Sequence, residues 1–477
     1  MKISISYPPL ESEKGIPLLT QNRQFQWFSD ATYIYPMIPA SAATLLKSKG
    51  YEVFWDDAIA EGLSYDQWKE RIIREKPDVI VIETKTPVIK RHWKIINDIK
   101  NSEIQSRLGG TKFILMGDHV TALPEESFKK SKVDFVLVGG DYDFLLLKLL
   151  NSLSDPDRKH IPRVIRDEEQ HSLDELPMID RELTKWKLYA YKNGNYKNTP
   201  GSYVMNGRDC WWGRCTFCSW TTLFPGEKFR IRPAQKALDE IGGLIKLGAR
   251  EIMEDSGTLP IGDWLREFCA GMIERGYNEK VKISCNMRLN AVKDIEIYKL
   301  MKRAGFRMIL FGIESANQNT LDKINKNLKV EEIRPSLKMA KDAGLEPQAT
   351  FMIGYPWETK ADAQRTIDLA KELFRKNYID TMQATIMIPY PGTPLFKYCQ
   401  DNNLLLTKDY DRFDQREPVM KSPLSEKEIK KMIRKLYRSF VTPKFFFKKI
   451  RSIRNFNDLM FITRAAKKVL GHLTDFS

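Results

Sequence analysis

From Lys2 to about Leu153, short apolar runs alternate with longer stretches in which apolar residues recur at helical spacing. The runs 2–7, 52–55, 78–83, 112–116 and 134–138 are each too short for a helix, and most are rich in Val, Ile or Phe, so the pattern predicts five strands. Between them the spacing predicts helices over 38–49, 65–75, 89–100, 124–130 and 142–153. Right-handed crossovers through such helices build a parallel sheet. A doubly wound, Rossmann-like α/β domain is therefore expected over 1–153. Ligands of these sheets bind beyond the carboxyl ends of the strands. That rule singles out Tyr7-Pro8-Pro9, the segments 83–86 and 117–121, and Gly139-Gly140-Asp141.

Residues 154–199 break the pattern; they are polar, irregular and punctuated by Pro156, Pro162 and Pro177, and read as a linker. The alternation then resumes, with strands at 202–206, 251–253, 282–285, 307–311, 346–352 and 381–388. Helices fit at 233–246, 263–275, 291–304, 331–343 and 360–376. The second domain is expected over 200–400, followed by a basic helical extension over 401–477.

A chain of 477 residues is too long for one core, and 42% hydrophobic with 29% charged residues excludes a disordered or fibrous protein. No apolar run approaches the roughly 20 residues of a membrane-spanning helix, and the N-terminus does not read as a signal peptide, so the expected location is cytoplasmic. The 77 Lys and Arg against 62 Asp and Glu favour an anionic contact: nucleic acid, a phospholipid surface or a phosphorylated substrate. Most of the excess lies in the tail, where residues 421–477 hold 15 Lys or Arg against 4 Asp or Glu. There the segment 443–454 interleaves Phe445, Phe446, Phe447 and Ile450 with cations. Packing of those side chains onto the second domain is the plainest reading; peripheral attachment to an anionic membrane, with a lipid-like substrate, is the sharper one. An RNA-binding tail has a similar composition.

Three of the six cysteines, Cys210, Cys215 and Cys218, fall within nine residues, and none precedes them. Thiolates ligate iron–sulfur clusters, and a loop this short can cap three irons of a cubane. The fourth iron would stay open to a small molecule, whereas structural zinc needs four protein ligands. Cys269, Cys285 and Cys399 are isolated and read as buried apolar thiols. A Gly-x-Gly-x-x-Gly fingerprint is absent, which counts against nicotinamide cofactors.

The cysteine loop resembles the signature of the radical S-adenosylmethionine (SAM) superfamily, in which three cysteines bind a 4Fe-4S cluster whose open iron chelates SAM. Cys215-Thr216-Phe217-Cys218 matches it, including the aromatic before the last cysteine. The first gap holds four residues, Trp211-Trp212-Gly213-Arg214, where the family pattern has three, and Gly213 can absorb the extra one. The resemblance implies a partial (β/α)6 barrel and extends through each strand end to about residue 400. It implies that Asp255 and Ser256 meet the amino group of SAM, that Arg288 and Glu314 hold its carboxylate and ribose side, and that Gly354 lets backbone approach the adenine.

The first domain in turn resembles the cobalamin-binding domain that precedes many radical SAM enzymes. The resemblance rests on the two prolines after the first strand, the run 116–126 and the run 133–140. It departs from the family at Gly117-Asp118, where two glycines are usual, and at Gly139-Gly140-Asp141-Tyr142. It implies corrin contacts from Gly117, Asp118, His119, Gly139 and Gly140, with no histidine below cobalt, since Asp118 and His119 are contiguous.

What this implies is a radical SAM enzyme that generates a 5′-deoxyadenosyl radical and methylates an unactivated carbon with the help of cobalamin. The implied partners are a small-molecule or lipid-like substrate and an electron donor such as flavodoxin or ferredoxin, and nucleic acid is not expected. The alternatives are an oxidative cyclase or rearrangement enzyme, with or without cobalamin, and a zinc-stabilised nucleic-acid-binding scaffold. A tRNA methylthiotransferase would need a further cysteine trio in the first domain, which has none.

Overall fold

The computed structural model describes residues 1–18, 27–29, 31–158, 160–167, 169–208, 210–225, 229–438, 451, 453 and 459–463. The first sheet contains β1 (Lys2–Tyr7), β2 (Glu52–Asp57), β3 (Val79–Thr84), β4 (Lys112–Gly117), β5 (Phe135–Val138) and β6 (Val164–Arg166). All its pairings are parallel, in the order β2-β1-β3-β4-β5-β6. Strand β3 reads Val-Ile-Val-Ile before turning polar at Glu83 and Thr84, and it is buried along its whole length, as a central strand covered on both faces must be. The five expected strands are present with ends displaced by at most two residues. The sixth comes from the stretch read as linker, and its three residues are too few to carry a periodic signal.

The second sheet contains β7 (Gly201–Val204), β8 (Glu251–Glu254), β9 (Lys282–Met287), β10 (Phe306–Glu314), β11 (Glu346–Ile353) and β12 (Thr381–Ile386). It is also wholly parallel, in the order β12-β11-β10-β9-β8-β7. Among the described residues β7 and β12 do not pair with each other, so the sheet is an arc and not a closed barrel. Strand β10 overruns its expected end by three residues and carries a bulge between Gly312 and Glu314.

The helix Glu426–Arg438 buries Ile429, Met432, Ile433, Leu436 and Tyr437, a stripe at helical spacing. The Tyr437 hydroxyl donates to the Ala384 carbonyl at 2.9 Å and accepts the Ala384 N–H at 3.2 Å. This part of the basic extension therefore packs on β12. The segment 443–454 lies outside the described residues except for 451 and 453. Among the described residues no helix is long and apolar enough to cross a membrane.

Buried ion pairs join the two halves. Arg208 forks onto Asp143, Nη1 to Oδ1 at 2.9 Å and Nη2 to Oδ2 at 2.8 Å, and Nη1 also reaches Asp141 at 3.0 Å. Arg230 adds a contact to Asp141 at 2.8 Å. From the stretch between the two sheets, Arg181 donates to the Tyr203 carbonyl at 2.9 Å and pairs with Glu240 at 2.5 Å. The loop after β5 and the stem of the cysteine loop are thereby held against each other.

Candidate active site

Past β7 the chain makes a short antiparallel pair, Gly207–Arg208 with Arg230–Ile231, and enters the cysteine loop. The Cys218 N–H donates to the Cys215 carbonyl at 3.2 Å, closing a tight turn between the two cysteines. Gly213 adopts φ +57, the left-handed conformation expected of the residue that absorbs the longer gap. A shelf formed by residues 323–327 supports the loop through main-chain carbonyls. Trp212 Nε1 donates to the Asn325 carbonyl at 2.7 Å and the Thr216 N–H to that of Ile324 at 3.0 Å. Arg288 donates to the carbonyl of Lys326, and its guanidinium lies 5.3 Å from the Trp211 ring and 4.7 Å from that of Trp212.

Burial pushes the Cys215 thiol up, while the Lys326 and Arg288 cations beside it pull it back toward thiolate. Burial pushes Cys269 up to about 12 in spite of the Arg303 cation, pushes Cys399 up to about 11, and raises Cys285 as well. They are inert packing thiols, as expected. Among the described residues, the one trio of potential metal ligands with atoms within 4.8 Å of one another is Asp167, Glu169 and His171. One tetrahedral zinc would hold thiolates about 4 Å apart, given Zn–S bonds of about 2.3 Å. Cys210, Cys215 and Cys218 do not form such a trio.

Around this loop the strand ends gather both signs of charge. Ser256 donates to Glu254 and accepts the Gly207 N–H at 2.6 Å, and Glu254 also accepts the Asn206 N–H at 3.0 Å. Burial pushes the Glu254 carboxyl up to about 7 against those two hydrogen bonds. Asp255 accepts from Asn286 at 3.3 Å. Glu314 pairs with Lys326 at 2.8 Å and accepts from Thr350 at 2.9 Å, and the Lys326 ammonium lies 5.9 Å from the Phe217 ring. The bulge holds Glu314 at φ +68, a strained setting for a side chain, and strain of this kind gathers at functional sites. A Cβ at Gly312 would lie 2.5 Å from the Glu314 carboxylate and 2.6 Å from the Lys326 ammonium, so the glycine makes room for the pair.

Several buried polar atoms here lack a hydrogen-bond partner: both side-chain ends of Asn206, Glu254 Oε2 and Arg288 Nε. Such atoms are costly unless a polar ligand meets them. A zwitterionic, hydroxyl-bearing molecule such as SAM supplies the complementary groups. Gly354 adopts φ +101, and a Cβ there would lie 3.4 Å from Ile429 and 3.7 Å from Ile386.

A second set of buried polar groups lies on the rim of the first sheet. Tyr7 donates to Glu83 at 2.6 Å, and the Lys85 ammonium stands 4.0 Å from Glu83 and 3.7 Å from Asp118, all four side chains being buried. Burial raises the Glu83 carboxyl, and Lys85 counters it. Glu83 Oε1, Lys85 Nζ, Asp118 Oδ1 and the Tyr142 hydroxyl have no hydrogen-bond partner. A corrin, whose rim is set with primary amides, offers donors and acceptors to such atoms. Sequence reasoning placed the segments 83–86 and 117–121 on this rim, but of these side chains it named only Asp118 as a corrin contact, not Lys85 or Tyr142.

The neighbouring glycines serve the fold. Gly117 has φ +129 and a Cβ there would lie 2.0 Å from the Thr84 carbonyl; at Gly140 it would lie 2.3 Å from the Phe224 ring. Gly139 requires only its φ of +122, since a Cβ would meet nothing closer than Leu145 at 3.6 Å. His119 is fully buried between Trp93 and Tyr410, with Nδ1 3.3 Å from the Thr86 hydroxyl and Nε2 3.4 Å from Glu126. It ties the extension to the first domain and, through Thr86, touches the rim segment after β3. The two regions are adjacent: the Gly140 N–H donates to the Leu223 carbonyl at 2.9 Å, just past the cysteine loop.

Residues 207–370 match the radical SAM superfamily. The chain is 29% identical to an uncharacterized methyltransferase of Pyrococcus horikoshii over 435 residues, 87% of this chain and 90% of that one. It is 25% identical to the anaerobic magnesium-protoporphyrin IX monomethyl ester cyclase of Cereibacter sphaeroides over 425 residues, 84% of this chain and 66% of the cyclase. Among solved structures it resembles the cobalamin-dependent S-adenosylmethionine radical enzyme OxsB, with a TM-score of 0.69 at 14% identity, covering 96% of this chain and 72% of that one. The last likeness establishes a shared fold across both domains.

Proposed function

We propose that this chain, a radical SAM enzyme with a doubly wound domain in front of its barrel, is a cobalamin-dependent methyltransferase acting on an unactivated carbon of a small molecule. The observation that carries this reading is the pairing of a three-thiol loop with a rim of four unsatisfied buried polar atoms, locked side by side by Arg208 and Asp143. When bound, the cluster and SAM supply a carbon-centred radical and the corrin supplies a transferable methyl group. The chain's own residues bind and align. Cys210, Cys215 and Cys218 hold the cluster, with Arg288 and Lys326 favouring the thiolate form of Cys215. Asp255 and Ser256 receive the SAM ammonium, Arg288 its carboxylate and Glu314 its ribose, while Glu83, Lys85, Asp118 and Tyr142 face the corrin.

The likeness to a ring-forming cyclase over 84% of the chain makes oxidative cyclisation the second reading, which analysis of the product distinguishes. Anaerobic reconstitution tests the proposal. About four irons should bind per chain, and Ala at any of the three cysteines should abolish reductive SAM cleavage. Lys85→Met should lower retention of hydroxocobalamin through gel filtration while iron content stays unchanged. Wild-type protein that retains iron but no corrin would refute the methyltransferase reading and leave only radical SAM chemistry.

A further inference from the structure

Beyond the last residues of β1 and β2 lies a cavity of about 270 Å3, counted to its open mouth, none of whose lining residues belongs to the cysteine loop or to the charged cluster around it. The terminal residues of the two strands, Tyr7 and Asp57, are register neighbours and both line it. Tyr33 and Tyr189 add two further rings, and Ile34 and Ile59 add apolar wall. Each phenol already donates its proton: Tyr7 to Glu83 at 2.6 Å, Tyr33 to the Ile59 carbonyl at 3.2 Å and Tyr189 to Asp57 at 2.5 Å. With those protons committed, what the three residues chiefly offer a ligand is the π-surface of their rings.

Asp57 is the unusual member. It is 5% exposed and accepts from the Tyr189 hydroxyl and from the Ala60 N–H at 2.8 Å, but among the described residues no cation pairs with it. The basic side chains of this region are engaged with other carboxylates, Arg71 with Asp56 at 3.0 Å and Glu61 at 2.6 Å, and Lys185 with Glu61 at 2.8 Å. The Lys192 ammonium stands 5.5 Å from the Tyr33 ring, so that ring already attracts a cation, yet it forms no ion pair with Asp57. Burial pushes the Asp57 carboxyl up to about 6 against its two hydrogen bonds. A buried carboxylate is costly unless a positive charge compensates it, and the faces of aromatic rings attract cations.

We infer that this cavity is a binding site for the head of a small organic cation, a primary or methylated ammonium, with Asp57 as its counterion and Tyr7, Tyr33 and Tyr189 as its aromatic wall. Ile34 and Ile59 receive alkyl carbon. Binding is non-covalent and needs neither cluster nor corrin. Through its bond to Glu83, Tyr7 links the cavity to the polar rim of the first sheet.

Isothermal titration calorimetry at constant ionic strength tests this, with choline as the probe and neohexyl alcohol, which has the same shape without the charge, as the control. Both are titrated into the full chain as purified and again after cluster reconstitution. Choline should bind the wild type at least about tenfold more tightly than the alcohol does. Asp57→Asn, which keeps an acceptor for the Ala60 N–H, should weaken choline binding by about tenfold or more and leave the alcohol unchanged. Tyr33→Leu should weaken choline binding about fivefold. Unfolding midpoints accompany both variants, and if Asp57→Asn does not fold, Tyr33→Leu and the comparison of the two probes decide. Absence of choline binding to the wild type, equal affinity for choline and the alcohol, or wild-type choline affinity in folded Asp57→Asn would overturn the site. None of these results bears on the cluster or the corrin, which iron content and hydroxocobalamin retention test separately.

Discussion

Arg208→Met removes one guanidinium from the joint between the two sheets and leaves its carboxylates in place. The Arg208 and Asp143 side chains are 4% and 0% exposed. After the substitution Asp143 would retain a single hydrogen bond, from the Phe144 N–H at 3.1 Å. Asp141 would still have Arg230. Stranding a buried charge in this way costs about 3–5 kcal/mol. At roughly 2–4 °C per kcal/mol for a domain of this size, the unfolding midpoint should fall by about 6–20 °C. The second arm is the double variant Arg208→Met, Asp143→Leu, which removes both charges and refills the space with apolar atoms. It should recover at least half the loss, because the cost lies in the stranded carboxylate and not in the missing attraction. Thermal unfolding of wild type, both single variants and the double variant completes a mutant cycle. A midpoint within 1 °C of wild type for Arg208→Met, or a double variant as unstable as the sum of the singles, would refute the assignment of these charges as the clamp.

Burial pushes the Glu358 carboxyl up to about 8, with one oxygen accepting the Gly354 N–H at 2.6 Å and the other unsatisfied. A raised folded-state value makes its contribution to stability complete below the unfolded value near 4.5 and lost as pH rises through 8. Glu358→Gln should therefore flatten the decline in stability between pH 5 and about pH 8, measured by urea unfolding across that range; an unchanged pH profile would count against burial as the cause. Gly140→Ala should cost about 1–3 kcal/mol through its clash with the Phe224 ring, and adding Phe224→Leu should restore most of it. Corrin loss without any change in stability would mean that the glycine serves the ligand and not the packing.

Much of this architecture was legible because both domains obey one local rule, short β-branched runs separated by amphipathic stretches. Strand β3 and the helix Tyr65–Glu75, with its Ser64 and Gln67 capping box, are written in their own residues. Strand β6 was not, since three residues joining the edge of a sheet owe their conformation to the partner strand. The site divides in the same way. The cysteines announce themselves by spacing, but the shelf at 323–327 lies more than 100 residues from them and acts through carbonyls, which every residue possesses. The glycines of the first domain were recognisable as places where a side chain is excluded. What excludes it, the Thr84 carbonyl at Gly117 and the Phe224 ring at Gly140, is a fact of three dimensions.

The contact between Tyr437 and Ala384 bears on why the second sheet can remain an arc. An arc ends in a strand whose outward peptide groups invite another strand to join, which in other proteins is a route to chain-to-chain pairing. At Ala384 a single phenol answers both the carbonyl and the N–H, standing in for the peptide of a seventh strand. The helix that carries it covers the flank of β12 with apolar side chains. Closure is thus replaced by a plug at one side, and the strand ends are free to splay. The first domain meets the second instead beside the cysteine loop, through Arg208 with Asp143 and the Gly140 N–H with the Leu223 carbonyl.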